Sequence, residues 1–123
     1  MIDHFGLQVA DIAASAAFYD AVLGALGQRR VMDFQVAIGY GDDQHPDFWI
    51  GQWEDRVPNR PTHHAFAAKD RDAVLAFSEA AKALGMEVLH EPRIWPEYHE
   101  HYFAAFVRDP DGNNVEAVCH SPG

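Results

Sequence analysis

Two tandem βαβββ modules, forming one α+β domain whose curved mixed sheet carries its helices on the outside, are the fold this sequence predicts. Three observations predict it. A β-prone segment followed by an Asp-capped amphipathic helix occurs twice in the same order. Landmarks of the two copies recur at a steady spacing: His4 to His64 is 60 residues, Asp11 to Asp70 and Phe18 to Phe77 are 59, and Gly27 to Gly85 is 58. The chain also closes on a hairpin, His101–His120, whose turn Asp109-Pro110-Asp111-Gly112 sets Pro at an early turn position and Gly where a positive φ closes it. Spacing this regular is the mark of an internal duplication. We place the first module at residues 1–56 and the second at 62–123, within a single domain spanning 1–123.

In chain order, Ile2–Val9 is short and β-prone and predicts a strand. Asp11 is placed to cap a helix whose apolar stripe is Ile12, Ala16, Tyr19, Val22, Leu23 and Leu26, and Gly27 is placed to end it. Arg29–Tyr40, split near Asp33, and Pro46–Trp53 predict strands separated by the loop Gly41–Gln44. Glu54–Pro61 is polar and carries proline, which suits a linker. The pattern then restarts: Thr62–Lys69 as a strand, Asp70 as cap, the stripe Val74, Phe77, Ala81 and Leu84, and Gly85 at its end. Met86–His90 predicts another strand, Glu91–Glu100 a loop rich in Pro, Trp and His, and the hairpin completes the module.

At 123 residues the chain can bury a core of its own, and 48% hydrophobic with 23% charged residues is ordinary for a globular protein. The formal net charge is −10, and the nine basic residues are scattered apart from Arg29-Arg30. Nucleic acid and anionic membranes are therefore poor partners. No run is long enough to span a bilayer and no export signal is visible, so the expected location is the cytoplasm. The single cysteine, Cys119, agrees with a reducing compartment and reads as a small buried strand residue.

Each module is too small to bury its own sheet, so the two are expected to pair side by side, leaving a concave face as the natural site. His4, His64 and Glu116 sit at equivalent strand positions and are expected to converge there. Glu116 draws notice by itself, as a carboxylate set in the apolar run from Val115 to Val118.

Three stretches, DHFGLQVADIAASAAFYDAVLGALG, HHAFAAKDRDAVLAFSEAAKALG and AAFVRDPDGNNVEAV, resemble the vicinal oxygen chelate superfamily. That superfamily includes lactoylglutathione lyase, bleomycin and fosfomycin resistance proteins and extradiol dioxygenases. The resemblance implies a divalent metal on the concave face, held by side chains from the first and last strand of each module. His4, His64 and Glu116 match three of the four ligand positions. With Phe48-Trp49 laid against Val115-Glu116 the fourth is Trp49, which cannot ligate, and a shifted register offers Gln52 instead. Two histidines and one carboxylate suit Fe(II), Mn(II), Ni(II) or Zn(II) with positions open to water and substrate.

The extradiol signature runs from a His to the Glu ligand, and His99, the Asp109–Gly112 turn and Glu116 nearly fit it. It places Tyr three residues before the turn, where this chain has Phe106, which argues against standard ring cleavage. His99 is the candidate for proton transfer, with Tyr102 as a second source of a hydroxyl and His101 beside them. Trp49, Trp95 and Phe106 are expected to wall the substrate pocket, together with Phe48, and Arg93 is the cation available to an anionic substrate. The function expected is a small metalloenzyme with lyase, isomerase or dioxygenase chemistry on a small oxygen-chelating substrate, working as a homodimer. A metal-free protein that sequesters a drug-like molecule is the alternative.

Overall fold

A computed structural model describes all residues, 1–123. The first module comprises β1 (Phe5–Gln8), α1 (Ile12–Gly24), β2 (Arg29–Asp33), β3 (Ala37–Gly41) and β4 (Phe48–Gly51). The second comprises β5 (His63–Ala67), α2 (Arg71–Ala83), β6 (Val88–Ile94), β7 (Phe103–Arg108) and β8 (Asn114–Cys119). Each module folds its strands into a mixed four-stranded sheet, ordered β1-β4-β3-β2 in the first and β5-β8-β7-β6 in the second. Only the pairs β1–β4 and β5–β8 are parallel. The doubled βαβββ arrangement is thus as read, each module contributing one four-stranded hydrogen-bonded sheet.

The caps work as their chemistry requires. Asp11 accepts from the amides of Ala13 and Ala14, and Asp70 from that of Ala73, satisfying donors that a helix start leaves free. Past the helix ends, Gly27 and Gly85 take φ of +82° and +74°, values that a side chain would strain. The edge strand β6 runs on to Ile94, into what reads as loop. Pro92 is accommodated because its register with β7 shifts between His90 and Arg93, so the ring needs no ladder bond there.

α1 and α2 touch each other and each lies on one face of its own module's sheet. Phe18, Tyr19, Val22 and Leu23 from α1, and Val74, Phe77 and Ala81 from α2, join Leu7, Ile50, Val107, Val115 and Ala117 in one core that runs across both modules. Burying each large side chain here contributes about 1.5–3 kcal/mol. A smaller cluster, Trp95, Ala104, Phe106 and Val118, lies on the other face of the second sheet.

The modules are joined by a buried polar seam. Asp109, 3% exposed, accepts through Oδ1 from the amides of Asp111 and Asn113, and through Oδ2 from the Tyr19 hydroxyl at 2.6 Å and Asn113 Nδ2 at 2.8 Å. Beside it the Asp111 carboxylate takes the amide of Ala10, just past β1, at 3.3 Å. The hairpin turn of the second module is in this way fastened to the first helix and first strand. Tyr19→Phe keeps the ring but leaves a buried carboxylate short of a donor. It is expected to lower unfolding free energy by about 1–3 kcal/mol in urea titrations, and an unchanged midpoint would mean that the seam carries no stability.

Candidate functional site

Strand alternation divides the second module's side chains between the helix face and the outer face. β5 and β8 pair with His64 opposite Val115 and Ala65 opposite Glu116, while Phe106 of β7 is opposite Glu116. Val115 belongs to the core, so His64 points to the helices; Glu116, His63 and Phe106 share the outer face.

Both nitrogens of His64 are used. The one hydroxyl proton of Tyr19 goes to Asp109, so its oxygen accepts from His64 Nε2–H at 3.1 Å, leaving Nδ1 to accept from the Thr62 hydroxyl at 2.9 Å. Burial pushes this imidazole down to about 4, against an ordinary 6.5, with the nearby Asp109 charge opposing the shift. The expected grouping of His4, His64 and Glu116 therefore does not form, because His64 is a neutral core histidine on the wrong face.

His63 stands where that ligand was sought. Its Nδ1 donates to the Asn114 carbonyl at 3.1 Å, and its Nε2 faces Glu116 Oε1 at 3.0 Å. With the Nδ1 proton committed, two acceptors face each other, and a proton or a cation must lie between them. A distance of 3.0 Å is that of a hydrogen-bonded ion pair, and it is also about the separation of two neighbouring donors each about 2.1 Å from one octahedral ion. Phe106 stacks on the His63 ring, with centroids 5.9 Å apart, and steadies it.

Glu116 is 2% exposed, and its Oε2 accepts a hydrogen bond from the Tyr102 hydroxyl. Burial and that bond push the Tyr102 phenol up, so it remains a donor. His99 lies edge-on to Tyr102, centroids 5.5 Å apart. The His101 amide donates to His99 Nδ1 at 3.0 Å, so Nε2 carries the proton and donates to His120 at 2.8 Å. His120, whose ring also meets Tyr102, escaped sequence reasoning because it follows the last strand with no motif around it. Trp95 donates its Nε1–H to the Ala104 carbonyl and packs on Phe106, so both form the wall behind His63. Arg93 lies 3.5 Å over the Trp95 ring and pairs with Glu97.

In the first module, His4 Nδ1 meets the Asp3 carboxylate at 2.7 Å, leaving Nε2 free. His4 borders a shallow cavity of about 390 Å³ with Gly6, His45 and Trp49. Gly6 is opposite Trp49 just as Ala65 is opposite Glu116, so Trp49 holds the place in this module that Glu116 holds in the other. Gln52 is no ligand: its Oε1 caps α1 by accepting from the Ile12 amide at 2.8 Å. Within one chain, no three His, Cys, Asp or Glu groups lie close enough to hold a metal. A second cavity, of about 1190 Å³, opens between the modules on the helix side, lined by Phe5, Tyr40, Phe48 and Phe66.

The model of the Glyoxalase/Bleomycin resistance protein/Dioxygenase superfamily matches residues 1–117. The chain belongs to that superfamily. No curated protein matches it. Among solved structures, a glyoxalase/bleomycin resistance protein from Albidiferax ferrireducens is 28% identical, with 97% of this chain and 98% of that one covered and a TM-score of 0.79. A lactoylglutathione lyase from Agrobacterium tumefaciens, 22% identical over 97% and 92% with TM-score 0.70, shares the fold. So does a fosfomycin resistance protein from Mesorhizobium loti, 18% identical over 98% and 92% with TM-score 0.67. Superfamily members generally use divalent metals and act on small molecules. No helix here is long and apolar enough to cross a membrane.

The His64 position has a consequence for stability. A folded value near 4 against 6.5 means that the unfolded chain binds more protons in that window, so stability is full above pH 6.5 and is lost as pH falls toward 4. For the metal-free protein the loss is expected to be on the order of 3 kcal/mol, read from urea midpoints across pH. His64→Gln should flatten the dependence; an equally steep variant would show that other groups drive it.

Proposed function

We propose that this protein is a divalent-metal-dependent enzyme that binds a small substrate through adjacent oxygens, with His4, His63 and Glu116 as the metal-holding set. The observation that carries the reading is His63 Nε2 facing Glu116 Oε1 at 3.0 Å while its Nδ1 is committed to a carbonyl. His4 is prepared in the same manner, its Nδ1 held by Asp3. Orientation of an imidazole through its second nitrogen is what a metal-binding histidine needs.

Zn(II), Ni(II), Fe(II) and Mn(II) all suit this donor set. When bound, such an ion polarises a substrate oxygen and stabilises negative charge developing on it. The protein groups do the rest. Tyr102 orients Glu116 by donating to Oε2, and it presents a hydroxyl beside the site. His99, its Nε2–H given to His120 and its ring set edge-on to Tyr102, is the nearby group for moving a proton during lyase or isomerase chemistry, taking one up at Nδ1 when the His101 amide releases it. Phe106 stands where a hydroxyl would serve ring cleavage, which favours those reactions over dioxygenation. Cys119, buried and unpaired, suits the cytoplasm.

The full donor set requires two copies. His4 is not within reach of the His63–Glu116 pair in its own chain, so the first module's outer face in one copy meets the second module's outer face in another, giving a homodimer with two sites.

A second reading rests on the large cavity between the modules, whose aromatic lining would hold an apolar, drug-sized molecule without metal. Tryptophan fluorescence titrations that give the same affinity with and without chelator would favour it.

Purified protein reconstituted at neutral pH is expected to bind about one ion per chain. His63→Ala should lose at least about tenfold in metal affinity while His64→Gln should not, as measured by competition with a chromogenic chelator. The reverse order would return the ligand role to His64. Mixing His4→Ala with Glu116→Ala chains under subunit exchange should restore binding that neither has alone; no restoration would place the whole site within one chain.

A further inference from the structure

Each strand residue turns its own N–H and C=O to one side of the strand, and successive residues alternate. In β5 the Thr62 carbonyl accepts from the Asn114 amide, and the Ala68 amide donates to the Val118 carbonyl, so the even-numbered residues bond β8. Ala65 and Ala67 therefore turn their backbone groups the other way, and β5 has no neighbouring strand on that side. An open strand edge is a feature that folds generally cover.

β1 has the same open side, and there the chain covers it. Gly6 and Ala65 are equivalent, being opposite Trp49 and Glu116, and two residues further on Gln8 matches Ala67. Asn59 of the linker takes both backbone groups of Gln8. Its Oδ1 accepts from the Gln8 amide at 2.8 Å, and its own amide donates to the Gln8 carbonyl at 3.4 Å. What fits this edge is thus an acceptor beside a donor.

No protein group does the same for Ala67. In its place is the cavity of about 1190 Å³, with all six residues Thr62–Ala67 in its wall. Six consecutive strand residues point their side chains to both faces, so a cavity that meets them all runs along the strand's edge. Leu23, Leu26, Phe48 and Phe66 supply an apolar wall, and Lys69 is the only lysine or arginine, against Asp42 and Asp47. Such a space favours an uncharged ligand. It opens on the helix side, whereas the copies are proposed to meet through their outer faces.

We propose that this cavity is a ligand site that needs no metal and takes an uncharged planar heterocycle carrying a ring amide, a lactam. The lactam carbonyl accepts from the Ala67 N–H and the lactam N–H donates to the Ala67 carbonyl, as Asn59 does for Gln8. The apolar body lies against Phe48, Phe66 and Leu26. This inference deepens the metal-free reading of the cavity and rests on it.

Two isosteric probes test it, isoquinolone and isocoumarin, which share their rings and carbonyl and differ only in an N–H against a ring oxygen. Affinities are measured with chelator present, by titrating isotope-labelled protein and following its amide resonances. The lactam is expected to bind at least about tenfold more tightly, because isocoumarin leaves the Ala67 carbonyl without a donor. The Ala67 amide should be among the resonances that move downfield. Ala67→Pro removes the edge N–H without breaking a bond to β8, at a place where proline is tolerated. It should lower lactam affinity by at least about tenfold, while Ala67→Val, which keeps the N–H, should not. The probe comparison uses the unaltered protein, so it decides the matter even where the proline variant fails to fold. If the two probes bind alike, or if a folded Ala67→Pro binds the lactam undiminished, the edge is not read and the inference is wrong, while the cavity still takes a small molecule. If neither probe binds, the metal-free reading of the cavity fails and the inference falls with it.

Discussion

The buried hydrogen bond from the Tyr19 hydroxyl to Asp109 is the joint on which the rest of this structure depends. It ties the first helix to the last turn, and it is one link in a chain that runs from Thr62 through His64 and Tyr19 to Asp109 and Asn113. The protons in that chain are closely constrained, with the Thr62 hydroxyl 2.9 Å from His64 Nδ1 and 3.3 Å from Asn113 Oδ1. Tyr19 can donate only once, so His64 donates to it, and the Thr62 hydroxyl is then the donor at the shorter distance to His64 Nδ1. A buried carboxylate costs several kcal/mol unless it is satisfied in this manner. Satisfying it draws His64 into the core, and strand alternation then turns His63 outward toward Glu116. The candidate site is thus set by a constraint on the opposite face of the same strand.

Much of this was legible in the residues. The duplication, both aspartate caps, both terminal glycines and the Asp109–Gly112 turn depend on local chemistry that acts within a few residues, so local pattern was enough to find them. The choice of histidine was not, although the signal was present. Asp11 to Asp70 and Phe18 to Phe77 are both 59 apart, and that spacing maps His4 onto His63; the pairing of His4 with His64 departs from it by one. In a strand of period two, a slip of one residue moves a side chain to the other face. Gln52 and His120 were beyond such reasoning. One caps a helix 40 positions away, and the other meets His99 across 21 positions, contacts that exist only after folding.

The asymmetry between the modules accounts for how a duplicated fold becomes a particular site. Duplication supplies two outer faces with equivalent positions, and divergence then assigns them separate work. The second module keeps a buried carboxylate, held by Tyr102 and backed by Phe106 and Trp95, a dense wall behind a charged group. The first keeps a histidine but exchanges the carboxylate for Trp49, with Gly39 making room for the ring.

Anomalous diffraction from crystals of the metal-reconstituted protein, recorded on both sides of the metal's absorption edge, tests the central claim most directly. The account predicts one peak per chain bonded to His63 Nε2 and Glu116 Oε1, with His4 Nε2 as the third protein donor and the His64 ring still against Tyr19. A peak bonded to His64, or an ion held without Glu116, would contradict it.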